Sequence, residues 1–265
     1  MTDFGTFVEQ SQLFFLIFAR IFALLAVAPL MNSGSIPNIA RVSLALLASF
    51  LVFPGVLDGG YPIPQQGLQY VLLILGEALI GIITGFFLVL VFAIFQLAGQ
   101  LFSLQMGFGA SQVFDPLSQI QIPLVGQFLN IIAMLIFVTV SGFQQLFMIG
   151  VSRSFEAVRA VDLVLIREDI AWAILTRLTR LFEHAMVIAF PILGTLFLIY
   201  VAMGLLGKAA PQMNLLILGF PISIFVAFLI LFLAMPIMAE AFERVIDEGF
   251  EVILRFYRAA QEASG

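Results

Sequence analysis

Few side chains in this 265-residue sequence are of types that carry out bond chemistry. The sequence has one histidine, His184, and no cysteine, which excludes thiolate metal sites, cysteine nucleophiles and disulfides. His184 stands near Arg180 and Glu183, a polar setting typical of a solvated or interfacial histidine. The sequence has no glycine-rich phosphate loop ending in Lys-Ser or Lys-Thr, and no GxSxG motif. We therefore expect neither an enzyme nor a metal or cofactor site.

Two charged residues, Arg20 and Glu77, stand inside apolar runs. A charge at bilayer depth is costly, and it normally faces protein, a water-filled cavity or a partner subunit. One reading is an ion pair, within the chain or between subunits, that fixes helix register. The other reading is a place in a conducting path, although a proton-coupled transporter normally shows more buried carboxylates. The sequence leaves both readings open.

The stretch from Gln96 to Pro123 combines backbone breaks with large apolar side chains. The breaks come from glycines and prolines, and the apolar side chains include Met106, Phe108, Val113 and Phe114. Its only charge is Asp115, fewer than a loop in plain water would carry. We expect a flexible apolar loop resting against apolar surroundings. It is either a hydrophobic constriction that closes a conduit or an ordinary loop buried between helices.

The elements that position these residues are predicted to be membrane helices. Hydrophobic residues make up 62% of the chain and charged residues 10%. Soluble domains have roughly 45–50% and 25%, so a soluble fold is excluded. The apolar runs are continuous, without a period of two, which favours an all-α multi-helix membrane protein over a barrel. Six runs are expected to form its membrane segments: Leu13–Met31, Val42–Leu57, Leu68–Leu104, Leu124–Val151, Ala185–Gly207 and Met213–Ala239.

The third of these runs is too long for a bilayer. Its 37 residues would measure roughly 55 Å as one helix, against a hydrocarbon core of about 30 Å. We expect this helix to bend, or to protrude and be covered by protein. It contains Gly81 and Gly85, a GxxxG pair that follows Gly76 and favours close helix packing.

Nineteen of the 27 charges lie in two stretches, Arg153–Glu183 and Glu240–Glu262, each of which contains an amphipathic segment that flanks the last two runs. In the first, the predicted apolar face consists of Ile170, Ile174, Leu178, Leu181 and Phe182, with Arg177, Arg180 and Glu183 elsewhere. In the second it consists of Phe242, Val245, Ile246, Phe250, Ile253 and Leu254. There, Glu240/Arg244 and Glu251/Arg255 are spaced as favourable ion pairs. Each segment either continues a packed helix past the membrane or lies at the interface, where it could dock a partner.

Four blocks of this sequence carry a family resemblance. They are ARIFALLAVAPL followed by IPNIARVSLAL, with Arg20, Pro29, Pro37 and Arg41; GEALIGIITGFF; AGQLFSLQMGFGASQVFDP; and GKAAPQMNLLILGFPISI. In this order, and over nearly the whole chain, they resemble the FliR family of flagellar export-gate proteins, whose injectisome relatives are called SctT.

The resemblance implies a subunit of a conduit for unfolded flagellar proteins. Residues 1–184 would be a FliP-like part and residues 185–265 a FliQ-like helical hairpin, assembled into a FliP/FliQ/FliR cone. The pore plug would comprise Met106, Gly107, Phe108, Gly109, Val113, Phe114, Asp115 and Pro116. Arg20, Arg41 and Glu77 would be buried or inter-subunit charges, and Gly81 and Gly85 helix-packing residues. The FliQ-like motif would be Lys208, Pro211, Gln212 and Asn214.

The implied partners are homologues of FliP, FliQ, FlhB and FlhA, unfolded export substrates and membrane lipid, with no nucleic acid. The implied location is the bacterial inner membrane at the flagellar basal body, partly raised toward the periplasm. The main alternative is a secondary transporter or small-solute channel, which would show internal symmetry with broken helices in both halves. A membrane scaffold without a conduit is a third class.

Overall fold

The computed structural model describes residues 2–29, 31, 36–64, 66–107, 124–164, 167–212 and 214–264. Within these ranges the chain is almost entirely helical and has no β-strand, which confirms the all-α prediction. The long helices are α1 (Thr2–Val27), α2 (Asn38–Asp58), α3 (Gly67–Gln105), α4 (Leu124–Thr139), α7 (Arg167–Ala209) and α8 (Leu215–Ser264). Between α4 and α7 lie α5 (Gly142–Gln145), a π-helix (Leu146–Arg153), α6 (Ser154–Ala157) and a 3-10 helix (Ala160–Val164).

Five helices of the described ranges are long and apolar enough to cross a membrane: α1, α2, α3, α7 and α8. The predicted segment Leu124–Val151 is not one continuous helix, because it breaks near Ser141 into two helices that are bent by 73°. Helix α4 ends at Thr139, Ser141 adopts a left-handed conformation with φ 58°, and α5 begins at Gly142. The β-branched Thr139 and Val140, followed by Ser141 and Gly142, weaken the helix at this point. The two pieces qualify as a sixth span only when they are taken together.

The long third run forms a single helix of 39 residues, α3. In its most apolar stretch, 67% of the residues are buried within the chain. Protein therefore covers much of this helix, as its excess length over a bilayer predicts.

The first amphipathic segment does not bury the face that the sequence predicts. Arg177 and Leu181 are buried, whereas Leu178 and Phe182 are exposed, Phe182 to 62%. Of the two alternatives for this segment, the exposed apolar face favours a position at an interface over a helix packed along this face. A chain surrounded by lipid or other apolar subunits can direct apolar side chains outward and charges inward.

The second amphipathic segment matches its prediction. Phe242, Val245, Ile246, Phe250 and Ile253 are buried, and Leu254 is half-buried. On the exposed side, Arg244 donates to Glu240 at 3.4 Å and Arg255 donates to Glu251 at 3.0 Å. The α8 helix thus continues as a packed amphipathic helix after its apolar part.

The helices contribute to two compact units. The first comprises the described residues of 1–90, 141–178 and 247–265, and its core includes Leu16, Ile17 and Ile21 of α1. The second comprises those of 91–140 and 179–246. Its core includes aromatic pairs, with ring centroids 4.3 Å apart for Phe95 and Phe242 and 5.6 Å apart for Phe92 and Phe137.

Candidate functional site

A buried ion pair joins α1 to α3 in the first unit. Arg20 is 1% exposed and Glu77 is 0% exposed, and Nε of Arg20 donates to Oε2 of Glu77 at 2.5 Å. Two isolated charges in this environment would each cost several kcal/mol, so they persist only as a pair with further hydrogen bonds. The structure brings together the two charges that interrupt apolar runs in the sequence.

Two glycines of α3 allow α1 to pack closely against α3 beside this ion pair. A Cβ atom on Gly81 would lie 2.2 Å from the carbonyl oxygen of Arg20, and one on Gly85 would lie 2.9 Å from that of Leu24. The helices can therefore approach this closely only because both residues lack a side chain. Nearer their N-termini, the Tyr70 hydroxyl donates to the carbonyl of Gln12 at 2.9 Å. The GxxxG spacing is thus used within the chain, one turn from Glu77.

The rest of the Arg20 guanidinium binds the segment that follows the π-helix. Nη1 donates to the carbonyl of Ser154 at 2.6 Å and to its hydroxyl at 3.3 Å, and Nη2 donates to the carbonyl of Val158 at 2.8 Å. The guanidinium carbon also lies 4.1 Å from the centre of the Phe155 ring, a cation–π contact. All three guanidinium nitrogens of Arg20 therefore have hydrogen-bond acceptors in the core.

The second carboxylate oxygen of Glu77 is also occupied. It accepts the hydroxyl of Tyr61, from the connection between α2 and α3, and the backbone N–H of Ala160 at 3.2 Å. Burial, followed by the negative charge of Glu77, raises the pKa of Tyr61 above its ordinary value of 10.0. Tyr61 therefore stays protonated and acts as a donor at physiological pH.

The polar network extends to the last helix through Tyr257. Its hydroxyl lies 2.9 Å from that of Thr84, and it also bonds to the Ser154 side chain. Ion pair and hydroxyls thus connect α1, α3, α6, α8 and the α2–α3 connection. Because the charges have bound partners in several elements, the arrangement suits the structural positioning of these elements.

Metal-ligating side chains do not cluster in the part of the chain that the structure describes. No group of three or more His, Cys, Asp or Glu side chains there could hold a metal ion. His184 is half-buried. Arg41, predicted as a buried charge, is also half-buried and lies outside the network, where its Nη2 donates to the carbonyl of Ile36 at 3.2 Å.

Only the start of the predicted plug lies within the described ranges. Met106 is 1% exposed, and Gly107 has φ 95°, which favours glycine. A Cβ atom on Gly107 would lie 2.3 Å from ring atoms of Phe220, and the Tyr200 hydroxyl donates to the carbonyl of Gln105. The remaining predicted plug residues lie outside the described residues: Phe108, Gly109, Val113, Phe114, Asp115 and Pro116.

The predicted FliQ-like motif lies on the connection between α7 and α8 and is exposed at Lys208, Pro211, Gln212 and Asn214. The side-chain oxygen of Asn214 accepts the backbone N–H of Ile217 at 3.4 Å. This bond caps the N-terminus of α8, a role that asparagine commonly plays.

Sequence reasoning missed most partners of the ion pair. Ser154 follows Arg153 in a charged stretch and resembles an ordinary surface serine, while Tyr61 lies in a loop rich in Gly and Pro. Two of the acceptors are backbone carbonyls, for which no residue type is a signal. Tyr257 and Thr84 could have been suspected, because both place a hydroxyl on an apolar helix face.

The comparisons with known proteins cover nearly the whole chain. The model of the family described as "Bacterial export proteins, family 1" matches residues 11–249. The chain is 34% identical to the flagellar biosynthetic protein FliR of Borreliella burgdorferi over 75% of this chain and 74% of that relative. It is 33% identical to FliR of Pectobacterium carotovorum (95% and 94% covered) and 30% identical to FliR of Bacillus subtilis (94% and 96% covered).

The range matched by the family model, residues 11–249, extends over both compact units. With several helices apolar enough to span a membrane, the matches indicate a membrane protein of flagellar export. The chain therefore belongs to family 1 of the bacterial export proteins, the FliR family.

Proposed function

We propose that the chain is a subunit of the flagellar type III protein export gate, forming with FliP and FliQ homologues the inner-membrane conduit for unfolded flagellar proteins. The observation that carries this proposal is the end-to-end match with FliR relatives, which covers 95% of the chain and 94% of the Pectobacterium protein. The activity is transport without bond chemistry, so the subunit itself is not an enzyme and needs no cofactor.

Exposed apolar surface supports assembly with other subunits. In the most apolar stretches of α2, α7 and α8, only 17%, 22% and 22% of the residues are buried within the chain. Phe50, Phe190 and Phe232 are among the most exposed large side chains. Lipid or protein must cover such surfaces. We assign much of this cover to FliP and FliQ homologues, with FlhB and FlhA homologues on the cytoplasmic side.

A groove between α1 and α3 supports the same arrangement. Its volume is about 590 Å³, and its lining is apolar, with Phe15 and Phe22 on one side and Ile82 on the other. Ala19, Ala23 and Ala78 also line it. Small residues allow a neighbouring helix to approach closely, as expected for subunits packed by their helices.

The arrangement of α7 and α8 supports a division into a FliP-like part, residues 1–184, and a FliQ-like hairpin, residues 185–265. The two helices follow each other after a short connection, and they pack together beside it. A Cβ atom on Gly219 would lie 3.2 Å from the methyl carbon of Met203. The exposed Lys208, Pro211, Gln212 and Asn214 at the tip of this hairpin are proposed to contact neighbouring subunits.

The end of α8 supports a position for part of the assembly outside the hydrocarbon, and we propose that this part lies on the periplasmic side. Its inner face packs on α3, with the Phe87 and Phe256 rings 5.9 Å apart, while Arg255 and Glu251 on the outer face are exposed. Exposed charges at this level would be costly in lipid. We therefore place this part of α3 outside the bilayer, despite its apolar sequence.

The loop that begins at Met106 is proposed to close the pore. Apolar bulk from methionine and phenylalanine would exclude ions, and glycine would allow the loop to move. A passing polypeptide could displace such side chains without breaking strong polar bonds. Removing Met106–Phe114 should leave assembly intact and make the membrane permeable to small solutes. Unchanged conductance in an assembled deletion mutant would rule out this role.

Co-expression of the tagged chain with FliP and FliQ homologues, followed by affinity purification, tests the proposed function. We expect a stable complex containing all three proteins. Failure to form one, combined with solute flux by the chain alone, would favour a secondary transporter or small-solute channel. Loss of motility on gene deletion would identify a flagellar gate, as opposed to an injectisome gate.

A further inference from the structure

Residues 141–160 form an irregular corner between long helices. Ser141 has φ 58°, α5 and α6 have four residues each, and eight residues between them form a π-helix. Val158 is then extended, with φ −137° and ψ 127°. π-Helices are rare, are usually limited to one turn, and occur frequently at functional sites. A conformation of this kind persists only where its surroundings hold it in place.

Arg20 supplies that support at the end of the corner. Its two terminal nitrogens donate to the carbonyls of Ser154 and Val158, groups that α6 leaves with few partners of its own. The positive charge also stands at the C-terminal end of α6, where backbone carbonyls concentrate negative charge. Beyond the extended Val158, the N–H of Ala160 donates to Glu77. The ion pair therefore binds the backbone on both sides of this break.

We propose that Arg20 is a positioning residue whose guanidinium clamps the irregular corner, residues 141–160, with Glu77 as its counter-ion and as the acceptor of the Ala160 N–H. The planar guanidinium reaches one carboxylate and two carbonyls simultaneously, which a single ammonium group does not. The clamp follows from the contacts alone. Its consequence for export rests on the proposed function.

If Arg20 and Glu77 formed only a simple ion pair between α1 and α3, the effects of substituting them would differ from those expected for the clamp. The simple ion pair would tolerate Arg20→Lys, which keeps the charge, and would be damaged by Glu77→Gln, which removes it. The clamp is damaged by Arg20→Lys, because the planar guanidinium with its several N–H donors is lost. Glu77→Gln removes the counter-ion and so lowers the overall stability, but it leaves the bonds of Arg20 to the carbonyls of Ser154 and Val158 in place.

The absence of cysteine from the sequence allows a direct measurement. Ala157 is buried inside the corner and the adjacent Glu156 is exposed, so A157C serves as reporter and E156C as matched control. Labelling uses a water-soluble maleimide on the full-length protein in detergent. With R20K we expect A157C to react roughly tenfold faster, which corresponds to about 1.4 kcal/mol. With E77Q we expect A157C to react no faster than the measured loss in the overall free energy of unfolding explains, while E156C reacts equally in all backgrounds.

A suppressor separates the clamp from general destabilisation. Met148 is an exposed residue of the π-helix, and its deletion would shorten the segment by one residue and allow regular α-helical bonding. Combined with R20K, this deletion should return A157C toward protection. If the R20K protein is not recovered from the membrane in normal amounts, the deletion of Met148 should restore the amount recovered. Protection of A157C in R20K, or absence of rescue by the deletion in either measurement, would overturn the clamp.

The effect of each variant on export is measured separately, as motility. In strains carrying each variant in place of the native chain, and compared at equal amounts of inserted protein, we expect R20K to reduce motility more than E77Q does. Equal motility of the two variants would overturn the link between the clamp and export. If the chain forms no complex with FliP and FliQ homologues, the proposed function fails, whereas the labelling result still decides on the clamp.

Discussion

The hydroxyl groups of Tyr257 and Thr84 lie 2.9 Å apart, although the residues are 173 positions apart in the sequence. This contact fastens the end of α8 to the middle of α3. Tyr257→Phe removes it while keeping the ring, and Thr84 retains its bond to the carbonyl of Ile80. We expect a loss of about 0.5–1.5 kcal/mol in the free energy of unfolding, measured in detergent. A loss above about 3 kcal/mol would show that Tyr257 does more than close this network.

Gly81→Ala should destabilise the chain, because the new methyl group would meet the backbone of Arg20 at 2.2 Å. Overpacking of this kind typically costs about 1–3 kcal/mol. Gly194→Ala is the matched control, since a Cβ atom there has nothing within 4 Å. In the interior of α7 it should be neutral or stabilise by about 0.5–1 kcal/mol. Equal melting temperatures for the two variants would contradict the close contact between α1 and α3.

Glu77→Ala should be among the most damaging single changes, because it leaves Arg20 charged and buried without a counter-ion. Breaking a buried pair in this way costs about 3–5 kcal/mol. The double variant Arg20→Met with Glu77→Ala should recover part of that loss, measured as the free energy of unfolding. Full recovery would argue against the clamp, because the carbonyls of Ser154 and Val158 would still have lost their donors.

Tyr61 should give the chain a distinctive alkaline sensitivity. Because its pKa is raised in the folded state, its stabilising contribution is complete below about pH 10 and declines as pH rises toward that higher pKa. Tyr61→Phe should cost about 1–2 kcal/mol at pH 8, and the difference from the unmodified chain should narrow at pH 11. Urea unfolding at both pH values measures this, and a constant difference would refute it.

Gly107→Ala should disturb the start of the proposed plug. The residue has φ 95°, and a methyl group would meet the ring of Phe220. A left-handed conformation alone costs a non-glycine residue roughly 1–2 kcal/mol. We expect increased leakage of small solutes in the assembled gate, recorded as conductance. Gly107→Ala combined with Phe220→Ala removes the clash and should leak less; equal leakage would place the defect elsewhere.

The long helices could be predicted from sequence because each is specified locally. Continuous apolar runs predict α1, α2 and α3, and the spacing from Phe242 to Ile253 predicts the buried face of the α8 tail. Arg20 and Glu77 attract attention because charges are rare in apolar runs. The glycines of α3 likewise carry a recognisable spacing.

Other features depend on tertiary context and leave no local pattern. The break between Thr139 and Gly142 lies inside a run without charges, so hydropathy continues across it. The acceptors for Arg20 are backbone groups, which every residue has. Arg177 is buried where soluble-protein rules direct it outward, because the surroundings of this chain are themselves apolar.

The first unit combines the beginning of the chain with its end, so its core is completed late in synthesis. Its core joins residues of α1 and α3 to Phe256 and Tyr257, which leave the ribosome some 170 residues after Thr84. At about 5–20 residues per second, the early helices wait many seconds for these late partners. During that interval the inserted chain carries an unfinished polar network, because the hydroxyls of Thr84 and Ser154 still lack Tyr257. Any truncation before Tyr257 would leave that state permanent.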